Sequence, residues 1–470
     1  MITYQDWLKE PKMDENTAGF VKRVIEAHKA SDLYKTSRIA DDYDRCRNTT
    51  VMHYQKMVTL VTGQKIPDPL VTVHRSTSNF FNVFTTQLNQ YLLGNGVTWQ
   101  EVEGQKKGKN HRGKYDDKLG ADFDIRLQKL GKAALCGGVA FGFYNLNRLV
   151  VFPVLEFAPM YDEETGRLAA GVRFWQIDES KPLRATFYEA DGCTDFMWAK
   201  DEPDGWDKVA DGTFMRPKVR YTWITRGDAK DRADGTEEIV EGVPTAGLPI
   251  IPLYANAHHQ SEIVGLREKI DAYDFILNGF EDDLDNAQLY WMITGAGGMD
   301  DLDLQRFLDR LKTNRAAAPA EDQQVAPVQV EIPYAAREAL LDRLNKQLYR
   351  DSMLMNPEDI ASGAITATQI RAAYERQNVK ADQYEYCILD FLHELMRIAG
   401  IDDEPTFTRS TIINTQEEIQ TLIQAAQYLS DDYVTQKILS LYGDGDKAED
   451  MINQRNADGV DNVRTEENEE

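Results

Sequence analysis

QSEIVGLREKIDAYDFILNGFEDDLDNAQ, residues 260–288, sets the architecture of this 470-residue chain. Its apolar residues Ile263, Leu266, Ile270, Tyr273, Leu277, Phe280 and Leu284 recur at alternating steps of three and four, which lays one continuous stripe along a long helix. Such a stripe suits a helix lying on the core of its own subunit, or one packed partly against other copies, and the pattern leaves both open. Glu281, Asp282, Asp283 and Asp285 crowd the C-terminal end; acids there oppose the helix dipole, so they need another reason to be present. Asp271 and Asp274 share a helix face, for which solvated surface is the expected meaning.

Downstream the pattern loosens through a Gly-rich turn (Gly295, Gly297, Gly298), a short helix at 302–311, an Ala/Pro stretch at 316–320 and a strand at 328–332. A second helix is expected at 334–354, with Leu341, Leu344 and Leu348 on one face and Arg343, Lys346 and Arg350 on the adjoining one. MNPEDIASGAITATQ (355–369) reads as a loop by its Asn-Pro and Ser-Gly pairs. From Thr366 to Ala399 no Gly or Pro interrupts the chain, so a very long helix ends at Gly400. PTFTRS (405–410) is a short strand, and the tail is helix-rich and ends in RTEENEE, a run expected to be disordered.

Upstream, LPIIPLYAN (248–256) is a strand after a loop at 242–247, and residues 139–240 alternate in short apolar runs such as VAFGFYNLN and GVRFWQI, the spacing of an antiparallel sheet. Helices are expected at 123–135, ending at Cys136-Gly137-Gly138, and in SNFFNVFTTQLNQYLLGNGVTW (78–99), with Ser78 and Asn79 as candidate N-caps and a stop at Gly94. Residues 17–47 and 49–62 also carry helical patterns.

The balance of 53 basic against 78 acidic residues gives a net charge of −25, which argues against a tight grip on nucleic acid and is compatible with letting it slide. Residues 401–470 hold 17 acidic and 5 basic residues, about half of that excess. Cys46, Cys136, Cys193 and Cys387 form no CxxC pair, so a reducing compartment, with the chain made and kept in the cytoplasm, is expected. No run approaches the ~20 apolar residues of a membrane span.

Enzymatic motifs fail on inspection. Gly108, Gly113 and Lys114 have phosphate-loop spacing, but Tyr115 stands where a metal-binding Ser or Thr is required and no buried parallel strand precedes; Lys106, Lys107, Lys109, Arg112 and Lys114 read instead as a flexible basic loop. His258-His259 lack further ligands at suitable spacing. No catalytic residue, metal or cofactor is assigned.

The order of elements resembles the portal proteins of long-tailed phages, in particular those of phages of Gram-positive bacteria. The resemblance rests on NFFNVFTTQLNQYLLGNGV (79–97); on Pro249, Asn256, Ser261-Glu262 and Ile270–Asp274; on ASGAIT (361–366), whose Ile365 and Thr366 depart from the commoner Ala-Leu; and on PTFTRS with the helices after it. It implies an α+β portal fold: a wing of antiparallel sheet and helices (1–257), a stem of two helices (258–288 and 334–355), a small α/β clip (289–333), a tunnel loop (356–366), a spine helix returning to the wing (367–410) and an acidic helical crown (411–470). It further implies a ring of about twelve copies around a DNA channel at a capsid vertex. The partners implied are other copies of the chain, the terminase large subunit, a head-tail adaptor, major capsid and scaffolding proteins, and passing double-stranded DNA, with no membrane. The runner-up is another virion structural protein, a minor capsid or neck component, without a channel.

Within that frame the loop residues Asn356, Asp359, Ser362, Gly363, Thr366 and Thr368 are the candidates for DNA contact, being small and free of Lys or Arg. Arg343, Lys346 and Arg350 are candidates to meet Glu281, Asp282, Asp283 and Asp285 of a neighbouring subunit, with solvated charge or contact to DNA phosphates as alternatives.

Overall fold

The apolar alternation of residues 139–198 supplies six of the nine strands of two packed sheets, and the glycines and aromatics within it decide what can lie on them. The structure is a computed structural model that describes residues 2–11, 13–59, 65–67, 73–103, 106–111, 113–145, 148–221, 230–231, 237–238, 247–286, 291–294, 324–327, 334–357, 367–409, 419, 422–425, 428–442 and 451–452. Its elements begin with helices α1 (Tyr4–Lys9), α2 (Asp14–Ala30), α3 (Asp32–Asp44) and α4 (Thr49–Met52), strands β1 (Met57–Thr59) and β2 (Lys65–Pro67), helix α5 (Phe80–Leu93), and strands β3 (Val97–Glu103) and β4 (Lys106–His111). Helices α6 (Asp116–Leu119) and α7 (Phe123–Gly137) lead into β5 (Val139–Tyr144), β6 (Leu149–Pro153), β7 (Phe157–Tyr161), β8 (Leu168–Trp175), β9 (Leu183–Glu189), β10 (Gly192–Trp198), β11 (Asp207–Ala210) and β12 (Thr213–Val219). After two short paired strands, β13 (Lys230–Asp231) and β14 (Glu237–Glu238), come β15 (Ile250–Tyr254), α8 (Arg267–Asn286), β16 (Trp291–Thr294), β17 (Gln324–Pro327), α9 (Tyr334–Ser352), α10 (Ala367–Ala399), β18 (Glu404–Phe407) and α11 (Asp431–Tyr442).

Strands β7 to β12 form a six-stranded antiparallel sheet in the order β11-β12-β10-β9-β8-β7. One face is covered by α1 and α2, whose Trp7, Phe20, Val21 and Ile25 pack on Met160, Val172 and Phe187. Phe141, Phe143, Phe152, Phe157, Tyr188 and Ile250 form a core with the smaller sheet β15-β5-β6. The third and largest core gathers α3, α5, α7 and α10 with the inner ends of α8 and α9. Antiparallel sheets with helices on their faces make this a mixed α and β fold.

Two glycines permit the close approaches this layering needs. Gly142 in β5 faces α10, and a Cβ there would lie 2.7 Å from the ring of Phe391. Gly138 ends α7 in the left-handed region at φ +82°, and a Cβ would come within 2.7–2.9 Å of the main chain at His259–Ser261. Strand β18 pairs with β3, Phe407 opposite Val97, so the end of α10 is tied back to the N-terminal half.

Several expectations are corrected. Within the helical pattern at 49–62, Thr49–Met52 forms α4 but Met57–Thr59 pairs as a strand with Lys65–Pro67. Ser78 and Asn79 do not cap α5 with their side chains: Asn79 stands at the N-cap position and no side-chain cap bond forms there. The basic segment from Lys106 is a strand pairing with β3, Val102 opposite Lys107, and Lys114 beyond it is bound at 2.8 Å to both Glu101 and Asp403. The helix expected from 260 starts at Arg267, since Gly265 turns the chain at φ +83°. The clip elements expected at 295–298, 302–311, 316–320 and 328–332, the loop at 242–246 and the final acidic run lie outside the described residues.

Replacing Phe391 by Ala removes a fully buried ring from the contact between α10 and the sheet, and is expected to cost about 3–5 kcal/mol in chemical denaturation. A pH effect follows from His28, whose Nε2 donates to the Val154 carbonyl at 2.8 Å. Burial holds its imidazole pKa below the ordinary 6.5, with the hydrogen bond opposing. The unfolded chain therefore binds the proton first, and this stability is lost as pH falls below about 6.5. His28→Gln keeps a donor and does not titrate, so its melting temperature is expected to fall less than the parent's between pH 7 and pH 5.

Candidate functional site

Helices α8 and α9 run antiparallel: Lys269, near the start of α8, binds Asp351 at the end of α9 at 2.8 Å, while Arg337, near the start of α9, binds Asp283 and donates to the Gly279 carbonyl at 3.2 Å. The apolar stripe that runs through the turn before α8 and along α8 is only partly used within the subunit. Ile263, Leu266 and Ile270 are buried, Tyr273, Leu277 and Phe280 half-buried, and Leu284 is 44% exposed.

The buried positions along the rest of α8 are polar. Asp274 is 0% exposed, and Asn278 and Asp282, one and two turns further, are also buried. They bind the extended segment 74–78 rung by rung. Asp274 accepts from the Ser78 amide at 3.0 Å and from Asn48 Nδ2 at 2.7 Å. Asn278 accepts from the Ser76 amide at 2.6 Å and returns a bond to the Ser76 carbonyl at 2.9 Å. Asp282 accepts from the His74 amide at 2.7 Å and lies 2.8 Å from its Nδ1; Glu281 accepts from the Ser76 hydroxyl at 2.8 Å. Above the ladder, Tyr43 donates to Asp271. Burial raises the Asp274 carboxyl above the usual carboxylate value, and the bonds from Asn48 and Ser78 pull it back. The solvated face expected for Asp271 and Asp274 is thus a buried seam.

Of the other sequence candidates, Arg343, Lys346 and Arg350 are exposed on α9, with Arg350 Nε 3.2 Å from Asp351. Asn356 is buried at the end of the segment after α9. Asp359, Ser362, Gly363 and Thr366 lie outside the described residues, as do the side chains of Thr368 and Asp285. Sequence reasoning missed Asn48, His74, Ser76 and Asn278. The available signal was the spacing Asp271, Asp274, Asn278, Asp282, a polar face as regular as the apolar one.

No catalytic or metal-binding arrangement emerges among the described residues, which contain no group of three or more His, Cys, Asp or Glu placed to hold a metal. A groove of about 450 Å³ beside the ladder is lined by Tyr54, Lys56, His74, Phe275, Asn278, Asp282 and Asp283, but Asn278 and Asp282 are engaged by the segment 74–78 and Asp283 by Arg337. No described helix is long and apolar enough to cross a membrane.

A long helical hairpin, a sheet-rich body and a 33-residue helix returning to that body are the frame on which comparison with known proteins can be judged. The chain belongs to the family of phage portal proteins described as SPP1 Gp6-like, whose model it matches over residues 22–459. It is similar to the portal protein of Bacillus phage SPP1, with 23% identity over 436 residues that cover 87% of this chain and 80% of that one. It is also similar to the portal protein of Clostridium phage phiCD119, with 22% identity over 182 residues covering 36% of this chain and 40% of the relative. Among solved structures it is similar to a chain from the neck of a native gene transfer agent particle, with 13% identity, a TM-score of 0.39 and coverage of 77% of this chain and 89% of that one.

The ladder makes a direct prediction. Asn278→Ala leaves the Ser76 amide and carbonyl without their partners, a loss of about 1–3 kcal/mol per buried group. Hydrogen exchange at the Ser76 amide should accelerate far more than in α5; equal protection in variant and parent would mean that something other than α8 holds the segment.

Proposed function

We propose that this portal protein assembles as a closed ring of about twelve copies around an axial channel at one capsid vertex, through which double-stranded DNA enters during packaging and leaves during ejection. Residues 1–257 are its wing, 258–288 and 334–355 the two stem helices, 289–333 the clip, 356–366 the tunnel loop, 367–410 the spine and 411–470 the crown. The clip docks the terminase large subunit and afterwards the head-tail adaptor, while capsid and scaffolding proteins surround the wing. The protein resides in the virion and is made in the host cytoplasm. It acts as a conduit and not as an enzyme.

The observation that carries this reading is the family match across residues 22–459, and the antiparallel pair α8 and α9 supports it as a stem. The half-used apolar stripe of α8 and the exposed Arg343, Lys346 and Arg350 suit a heterologous contact in which one face of each subunit meets a different face of the next. In that contact the basic face meets Glu281, Asp283 and Asp285 of the neighbour. Asp282, buried against His74, belongs to the fold of its own chain, whereas the Asp283 side chain is 42% exposed. The net charge of −25 favours passage of DNA over retention, because a wall that repels phosphate does not trap a moving duplex.

Native mass spectrometry and negative-stain electron microscopy test the reading. Expected are rings of about twelve copies with a hole wide enough for duplex DNA, and loss of rings on Lys346→Glu. Rings that survive the charge reversal would remove the stem contact but leave the portal. Monomers persisting at high concentration and with capsid protein present would favour a neck component without a channel.

A further inference from the structure

We infer that Lys380 and Gln377 on α10 form a clamp that fixes the point at which the chain leaves the core after α9, and that Lys380 is its main positioning residue. The effect on DNA rests on the portal reading above; the clamp itself does not.

Helix α9 ends at Ser352, and the next residue, Met353, takes a left-handed backbone at φ +60°. A helix end leaves carbonyls without intrahelical partners. Here Lys380 Nζ supplies one, donating to the Ser352 carbonyl at 2.8 Å and to Glu262 Oε2 at 2.5 Å. Glu262 is itself held: its Oε1 accepts from Asn256 Nδ2 at 3.2 Å and its amide donates to the Leu135 carbonyl at 3.0 Å. One ammonium group thus joins α10, the end of α9 and the segment that precedes α8.

One turn earlier on α10, Gln377 is buried and its Oε1 accepts from the Met355 amide at 3.2 Å and from Gln87 Nε2 at 3.1 Å. Gln87 Nε2 also donates to the Met355 carbonyl at 3.0 Å. Both main-chain polar groups of Met355 are therefore taken by side chains from α5 and α10. With Ser352, Leu354, Met355 and Asn356 all buried, an irregular stretch of backbone is held by burial and by side-chain bonds to its main chain.

A mostly buried ion pair is a poor means of gaining stability, since apolar residues of equal volume serve as well or better. What it does give is position. With 352–356 fixed to α5 and α10, the segment beginning at Pro357 starts from a point set by the body of the protein. In the portal reading this point sets where the tunnel loop enters the channel.

The test uses assembled full-length rings and procapsids that package DNA. Lys380→Met, close in length and apolar, should form rings of unchanged mass, show exchange at Met355 and Asn356 faster by about tenfold or more, and reduce packaged DNA by a similar factor. Lys380→Arg should restore both. Unchanged exchange at 354–356 in Lys380→Met would overturn the clamp. Faster exchange with parental packaging would overturn its role in positioning the loop. Should Lys380→Met not assemble, Glu262→Gln, which keeps an acceptor and removes the charge, carries the same expectations. Failure of the parent rings to package would instead count against the portal reading, and exchange would still decide the clamp.

Discussion

A carboxylate with no exposure is tolerable only where donors meet it, and Asp274 is met from two sides, by Asn48 Nδ2 and by the Ser78 amide. That requirement fixes the rotation of α8 about its own axis. Once Asp274 faces Asn48, Asn278 and Asp282 must face the same extended segment, because four-residue steps return to the same side of a helix. The apolar stripe is then turned away from this seam, toward α9 and outward. The position of α9 follows, since it is held to α8 at both ends by Lys269–Asp351 and Arg337–Asp283.

The polar seam also explains why the acids at the end of α8 are tolerated against the helix dipole. Glu281, Asp282 and Asp283 each accept a bond from elsewhere in the same chain, so their presence does not need a neighbouring subunit. Any contact between subunits adds to an arrangement already satisfied. This differs in kind from a buried charge waiting for a partner, whose desolvation would burden the free chain.

Most of the architecture was legible in the sequence because it is written in period. The stripe in α8, the uninterrupted run that became α10, and the alternation of β5 to β10 all state their element type directly. Where the reading failed, the deciding contact was distant. Residues 49–62 look helical in isolation, but Met57–Thr59 is claimed by Lys65–Pro67; the basic segment at 106–111 looks like a loop until β3 is beside it. The polar seam was missed for another reason, although its spacing was regular. Asp271 and Asp274 on a helix are usually solvated, and nothing local announces that residues about 200 positions earlier, such as Ser76 and Ser78, supply the donors. The positions of Lys380 and Gln377 were likewise illegible, since their partners are main-chain groups, and every residue has those.

The two arrangements divide the labour along the helical part of the chain. The α8 seam holds a helix to the segment 74–78 through neutral and charged bonds spread along its length, each rung meeting its own main-chain group. The attachment at the end of α9 is concentrated on three side chains, Lys380 and Gln377 of α10 and Gln87 of α5. The first contact fixes the rotation of a helix along its length; the second fixes the path of the irregular stretch at 353–356. Loss of a seam side chain therefore leaves a main-chain group of 74–78 without its partner, and loss of Lys380 or Gln377 does the same at the end of α9.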